Sequence, residues 1–138
     1  MATHYLVGYD GSETAHRAFE LALRMAGKNG GRVRAVTALR TTQAGPETCA
    51  MMMTDESSQR AREMLEALKA EAGEMAANVE VDLAYGNPGD VLLAQVRTHG
   101  IDHIVIGHSP HGALARWLLG SVSEDVLARA GVPVTIVH

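Results

Sequence analysis

Two rhythms of apolar residues take turns along this chain. His4 to Tyr9 (HYLVGY) is a short, mostly apolar run that reads as a first strand, closed by the turn signal Asp10-Gly11-Ser12. From about Ser12 to Ala26 the rhythm changes. Ala15, Ala18, Phe19, Ala22, Met25 and Ala26 recur at helical spacing and make one apolar face, with Gly27 and the pair Gly30-Gly31 to stop it. Val33 to Leu39 is a second strand. Arg34 interrupts its apolar character, which puts it nearer an edge than the first. Arg40 to Met53 has no clean period and reads as a loop, including the run Met51-Met52-Met53. Thr54 to about Ala77 is a long helix with Ala61, Met64, Leu65, Leu68, Ala72, Met75 and Ala76 as its buried stripe. Val79 to Tyr85 (VEVDLAY) alternates as a half-buried edge strand does. Asn87 suits an N-cap and Pro88 the first position of a helix that reaches Gly100. His103 to Ile106 is a buried strand ending in Gly107. Ser121-x-x-Glu124 is a capping box for a helix from Ser121 to Ala130, and Val132 to Val137 is the last strand.

Strict alternation of strand and helix predicts a parallel sheet covered by helices on both faces, an open doubly wound α/β fold. With the third strand at an edge and the first and fourth central, the expected order is 3-2-1-4-5. Winding then reverses between strands one and four, and ligands of such sheets bind beyond the carboxyl ends at that reversal. Those ends are Tyr9-Asp10 and Gly107-His108. The stretch from Gly107 to Ser123 has the parts of a phosphate cradle: glycines, Ser121 and Ser123 as hydroxyl donors, and a helix N-terminus with free N–H groups. Gly and Ser also serve ordinary connections, and the pattern alone leaves both readings open. His108-Ser109-Pro110-His111 holds too few ligands for a closed zinc site and reads as loop histidines that brush phosphates when protonated. Ser109 with His111 lacks an orienting carboxylate for nucleophilic catalysis.

Composition bounds the rest. The 138 residues suit one domain over residues 1–138. A hydrophobic share of 46% with 20% charged residues predicts a folded domain. The net charge of −4 and the five aromatic residues argue against a nucleic-acid surface. Cys49 is the single cysteine, so no internal disulfide forms. No apolar run is long enough to span a membrane, and the first residues lack the pattern of an export signal, so the expected location is cytoplasmic, without a membrane partner.

Four motifs then carry a resemblance across essentially the whole chain. VGYDGSE after the first strand, GNPGDVLL after the third, GSVSEDVL at the last helix and AGVPVTIV at the end resemble the universal stress protein family. The resemblance implies a Rossmann-like domain that binds an adenine nucleotide, ATP or AMP, with Mg2+ accompanying the nucleotide. It implies Asp10, with Gly11 and Ser12, and the backbone near Ala38 on the adenine side. Gly107 and His108 fall on the ribose and phosphate side, and Gly120, Ser121, Val122 and Ser123 on the phosphates. The family's ATP-binding branch carries Gly-x2-Gly-x9-Gly-Ser/Thr. Here Pro110 stands at the second glycine, and proline has neither an N–H nor freedom in φ. The implied function is a stress-linked regulator, with a homodimer through the strand Val132 to Val137 and a further protein partner unnamed by the sequence. Two rivals stand beside it: a nucleotide-free dimeric interaction module, which Pro110 favours, and a slow ATPase. No Walker lysine and no base at a γ-phosphate is present, so no catalytic residue and no metal ligand is assigned.

Overall fold

The computed structural model describes residues 3–39, 47–86, 88–107 and 129–138, with residues 47–57 and 88 as backbone only. The elements are β1 (His4–Gly8), α1 (Glu13–Asn29), β2 (Arg32–Leu39), α2 (Glu47–Glu71), a 3-10 segment (Gly73–Asn78), β3 (Val79–Tyr85), α3 (Pro88–His99), β4 (His103–Gly107) and β5 (Val134–Val137). The strands form one sheet in the order β3-β2-β1-β4-β5, every pair parallel, as the alternation predicts.

The two-residue period of the strands sorts side chains to the two faces. Tyr5, Val7, Val33, Ala35, Val79 and Val105 meet Phe19 and Ala22 of α1 and Leu65 and Leu68 of α2. Leu6, Val36, Ile104 and Ile106 meet Val91, Leu92 and Leu93 of α3. β1 is buried at every residue, so both of its faces contribute. A fully buried Val, Leu or Phe side chain stabilises by about 1.5–3 kcal/mol, which is why this strand sits at the centre.

Element ends differ from the expected ones for local reasons. α1 passes Gly27 and stops at Gly30, which adopts φ 71° and returns its N–H to Ala26 O. Gly27 is not among the positive-φ residues, so it propagates the helix. α2 begins at Glu47, inside the stretch expected to be a loop. Alanine and methionine favour a helix without any amphipathic period to announce it. α2 ends at Glu71, before the expected Ala77; Gly73 takes φ 59° and the chain tightens into the 3-10 segment. β5 starts at Val134, after Pro133, which donates nothing but whose carbonyl accepts Ile104 N–H at 2.9 Å. The expected helix from Ser121 lies outside the described residues except at its end.

Arg34 meets the expectation drawn from it, and its surroundings add to it. β2 does lie one strand nearer an edge than β1, yet Arg34 is 8% exposed rather than solvated. Its Nε donates to Gln95 Oε1 (2.6 Å), Nη1 to Glu80 Oε2 (2.5 Å) and Nη2 to Asp82 Oδ2 (2.9 Å). A buried guanidinium persists only with such partners. The network ties β2, β3 and α3 on one face of the sheet.

Candidate functional site

β1 and β4 are neighbours, so their carboxyl ends lie side by side where the winding reverses. The turn leaving β1 is held by its own residues. Tyr9 N–H donates to Val36 O at 2.9 Å, and the buried Thr37 hydroxyl donates to Tyr9 O at 2.8 Å. Asp10 Oδ1 accepts Ser12 N–H at 2.9 Å, an Asx turn. Gly11 adopts φ 82°, and a Cβ there would stand 3.0 Å from Met64 Sδ of α2. Ser12 caps α1, its hydroxyl accepting Ala15 N–H at 3.2 Å. Asp10 and Ser12 therefore both have a structural task at this turn. No described residue hydrogen-bonds to Asp10 Oδ2.

Ala38 lies two residues beyond Val36, which pairs with Gly8, so Asp10 and Ala38 leave the ends of adjacent strands. Ala38 is half-buried and is paired with Ala84 on β3. Gly107 closes β4, and its lack of a side chain has a definite cause. A Cβ would fall 2.3 Å from Thr14 C, 2.4 Å from Thr14 O and 2.5 Å from Ala15 N. The first turn of α1 occupies that space, so glycine is required here by helix packing before any ligand is considered.

Of the residues singled out from sequence, Asp10, Gly11, Ser12, Ala38 and Gly107 come together at one end of the sheet. His108, Gly120, Ser121, Val122 and Ser123 lie outside the described residues, as do Pro110 and His111. Gly86 belongs to the GNPGDVLL motif, while Ser58, Tyr85 and Thr37 carry no site signal in the sequence. Gly86 N–H donates to Leu39 O at 2.8 Å, and the Tyr85 and Ser58 hydroxyls are hydrogen-bonded, joining the end of β3 to α2. Thr37 is one threonine in an apolar strand, and only its register at the strand end gives it a role. Burial, with Glu71 and Asp10 nearby, pushes the Tyr9 phenol above its ordinary pKa, so the ring stays un-ionised. Among the described residues no group of three or more His, Cys, Asp or Glu has the arrangement of a metal site. Nor is any helix among them long and apolar enough to cross a membrane.

Comparison with known proteins agrees with this architecture. A universal stress protein of Thermus aquaticus is 32% identical over 135 residues, 96% of this chain and 96% of that protein. One of Mycobacterium tuberculosis is 33% identical over 94 residues, 67% of this chain but only 31% of that longer protein. The solved universal stress protein of Lactobacillus plantarum superposes with a TM-score of 0.83 at 21% identity, covering 99% of this chain and 97% of that one. A universal stress protein solved in complex with cAMP superposes with a TM-score of 0.67 at 26% identity, covering 99% of this chain and 97% of that one. The model of the universal stress protein family matches residues 1–138, and the chain belongs to that family.

Proposed function

We propose that this chain binds an adenine nucleotide, AMP or ATP, at the carboxyl end of the sheet and acts as a stress-linked regulator rather than a fast catalyst. The observation that carries this reading is that Asp10 and Ala38 leave the ends of the adjacent strands β1 and β2, at the end of the sheet where the winding reverses. Asp10 Oδ1 is used within the turn, while Oδ2 takes no hydrogen bond from a described residue. A carboxylate oxygen accepts a hydrogen bond from an amino or hydroxyl group such as adenine and ribose carry. Ala38 offers a flat, small flank on which a base fits. The cAMP complex of a similar protein supports the ligand class. The family motif assigns the phosphates to Gly120, Ser121, Val122 and Ser123, with Gly107 and His108 beside them, and Mg2+ arrives with ATP rather than being held beforehand. A cytoplasmic location fits the single cysteine.

Calorimetry with ATP and with AMP tests the reading. Asp10→Asn keeps one oxygen for the Ser12 N–H and is expected to weaken nucleotide binding about tenfold, the loss of one charge-assisted hydrogen bond. Nucleotide binding unchanged in Asp10→Asn removes Asp10 from the site. No binding in the unmodified chain removes the reading itself.

A second reading rests on a different observation. β5 is the last strand of the sheet, and no described strand pairs with its outer edge. Ile136 on it is 40% exposed. We infer a homodimer through this edge, compatible with nucleotide binding and sufficient by itself for an interaction module.

A further inference from the structure

His4 opens β1 at the end of the sheet opposite the candidate nucleotide site. The residue is 7% exposed, and its ring lies on the face covered by α3. Three hydrogen bonds fix the residue. Its backbone N–H donates to Asp102 Oδ2 at 2.9 Å, its carbonyl accepts Asp102 N–H at 2.9 Å, and its ring Nδ1 lies 3.1 Å from His99 O. A carbonyl only accepts, so Nδ1 carries the hydrogen. In the neutral ring Nε2 is then a bare lone pair, and Nε2 is buried with no hydrogen-bond partner.

The acceptor is informative. His99 is the last residue of α3, and carbonyls at a helix end lack partners within the helix. Gly100 (φ 63°) turns the chain and Ile101 N–H returns to Val96 O at 3.2 Å. That leaves the His99 carbonyl to the His4 ring. The ring thus joins the C-terminus of α3 to the first residue of the central strand.

A proton added at Nε2 finds poor company. The charges that act on the ring are Arg32 and Arg34 of β2 and Glu80 of β3. Glu80 is already engaged by Arg34 at 2.5 Å and by Arg32 at 3.7 Å. From α3 comes the His99 carbonyl. The Asp102 carboxylate in the following connection is taken by the His4 backbone. Burial first, then Arg32, hold the imidazole below its ordinary pKa, Arg34 adding to them against the His99 hydrogen bond and Glu80.

We propose that His4 is an acid-released latch: neutral, it fastens the end of α3 to β1 through Nδ1–H, and protonated at its buried Nε2 it lets that end of α3 loosen. The sign follows from linkage. The folded chain favours the neutral ring, so the latch is fully closed above the unfolded histidine value near 6.5. It is lost as pH falls through the lowered folded value.

Hydrogen exchange on the intact chain tests this at pH 7 and at about pH 5, across the histidine range. Divided by the intrinsic chemical rate, which itself slows about tenfold per pH unit, exchange of the Gly100, Ile101 and Asp102 amides is expected to rise toward pH 5, up to a limit of about twenty-five-fold set by the distance from pH 5 to the unfolded histidine value. His4→Asn retains an N–H for the His99 carbonyl and cannot titrate in this range, so the rise should vanish there. An equal rise in both proteins overturns the latch. If His4→Asn does not fold, the imidazole nitrogen and proton resonances of the unmodified protein decide. A hydrogen on Nδ1 at neutral pH with titration below 6.5 supports the latch. A hydrogen on Nε2, or titration at or above that value, overturns it.

Discussion

Gly107 shows how one residue type carries two messages. In sequence it is a glycine at the exit of a central strand, the place where a phosphate approaches. In the structure the first turn of α1 already fills the space of its missing Cβ, with Thr14 and Ala15 backbone atoms inside 2.6 Å. Backbone cannot swing aside as a flexible side chain does. Gly107→Ala is therefore expected to destabilise the fold by about 1–3 kcal/mol through overpacking, read as a lower urea midpoint with unchanged slope. A stability equal to that of the parent would show that α1 does not dock there. His16 behaves in the opposite sense to His4. Its Nε2 lies 2.6 Å from Glu71 of α2 and its Nδ1 3.1 Å from Glu20. The Glu71 hydrogen bond holds its pKa above the ordinary value. The pair stabilises the folded chain fully below about 6.5 and loses that contribution as pH rises through the raised folded value. The ring is about a third exposed, so the effect is under about 1 kcal/mol. His16→Gln should flatten the stability profile between about pH 6 and 8, and an unchanged profile would show that the contact is idle.

At the scale of elements, the Arg34 network decides how the outer half of the sheet is held. Gln95, Glu80 and Asp82 lie 61, 46 and 48 residues from Arg34 in sequence, yet all bond to one guanidinium. Arg34→Ala leaves the Gln95 amide buried without its donor and Asp82 half-paired. Glu80 and Asp82 keep access to water, which softens the loss to about 2 kcal/mol. The loss should be local: β3 and α3 amides are expected to exchange faster while β1 and β4 hold, and a uniform change would refute the tie. This network also marks a limit of reading from sequence. Strand order was legible because each strand's apolar continuity reports whether one or two faces are covered, and β1 and β3 differ plainly in that respect. A single arginine in an apolar strand says only that something must pair with it, not which distant residues do. The start of α2 at Glu47 was illegible for another reason, since helix propensity without an apolar period leaves no pattern to detect. The candidate site was legible where turn chemistry marks it, at Asp10-Gly11-Ser12. It was illegible where a contact rests on register alone, as with the Thr37 hydroxyl on Tyr9 O.

At the scale of the whole molecule, the sheet formed by the described residues has two edges, and they are not equivalent. The outer strand β3 carries Glu80, exposed, and the half-buried Asp82, charges that discourage another strand from docking. The outer strand β5 reads Val-Thr-Ile-Val, without a charge. A symmetric pair of chains joins equivalent surfaces, and antiparallel pairing of two such edges across a two-fold axis satisfies that requirement. The ladder tells which groups face outward. Ile104 N–H donates to Pro133 O, and Ile104 is the register partner of Val134. In a parallel ladder the matching bond then runs from Thr135 N–H to Ile104 O, so Thr135 and Val137 point their N–H groups inward, toward β4. The outward N–H groups belong to Val134 and Ile136. The Thr135 hydroxyl is also engaged, 2.7 Å from His103 Nε2. Proline at 135 would therefore break the sheet itself and say nothing of assembly. Ile136→Pro removes an N–H that points away from β4, at a residue already 40% exposed. Ile136→Pro is expected to give a folded monomer where the unmodified chain gives a dimer, read by light scattering at tens of micromolar with circular dichroism as the check on folding. A dimer that survives Ile136→Pro would move the interface off this edge, and a monomer before any substitution would exclude the dimer.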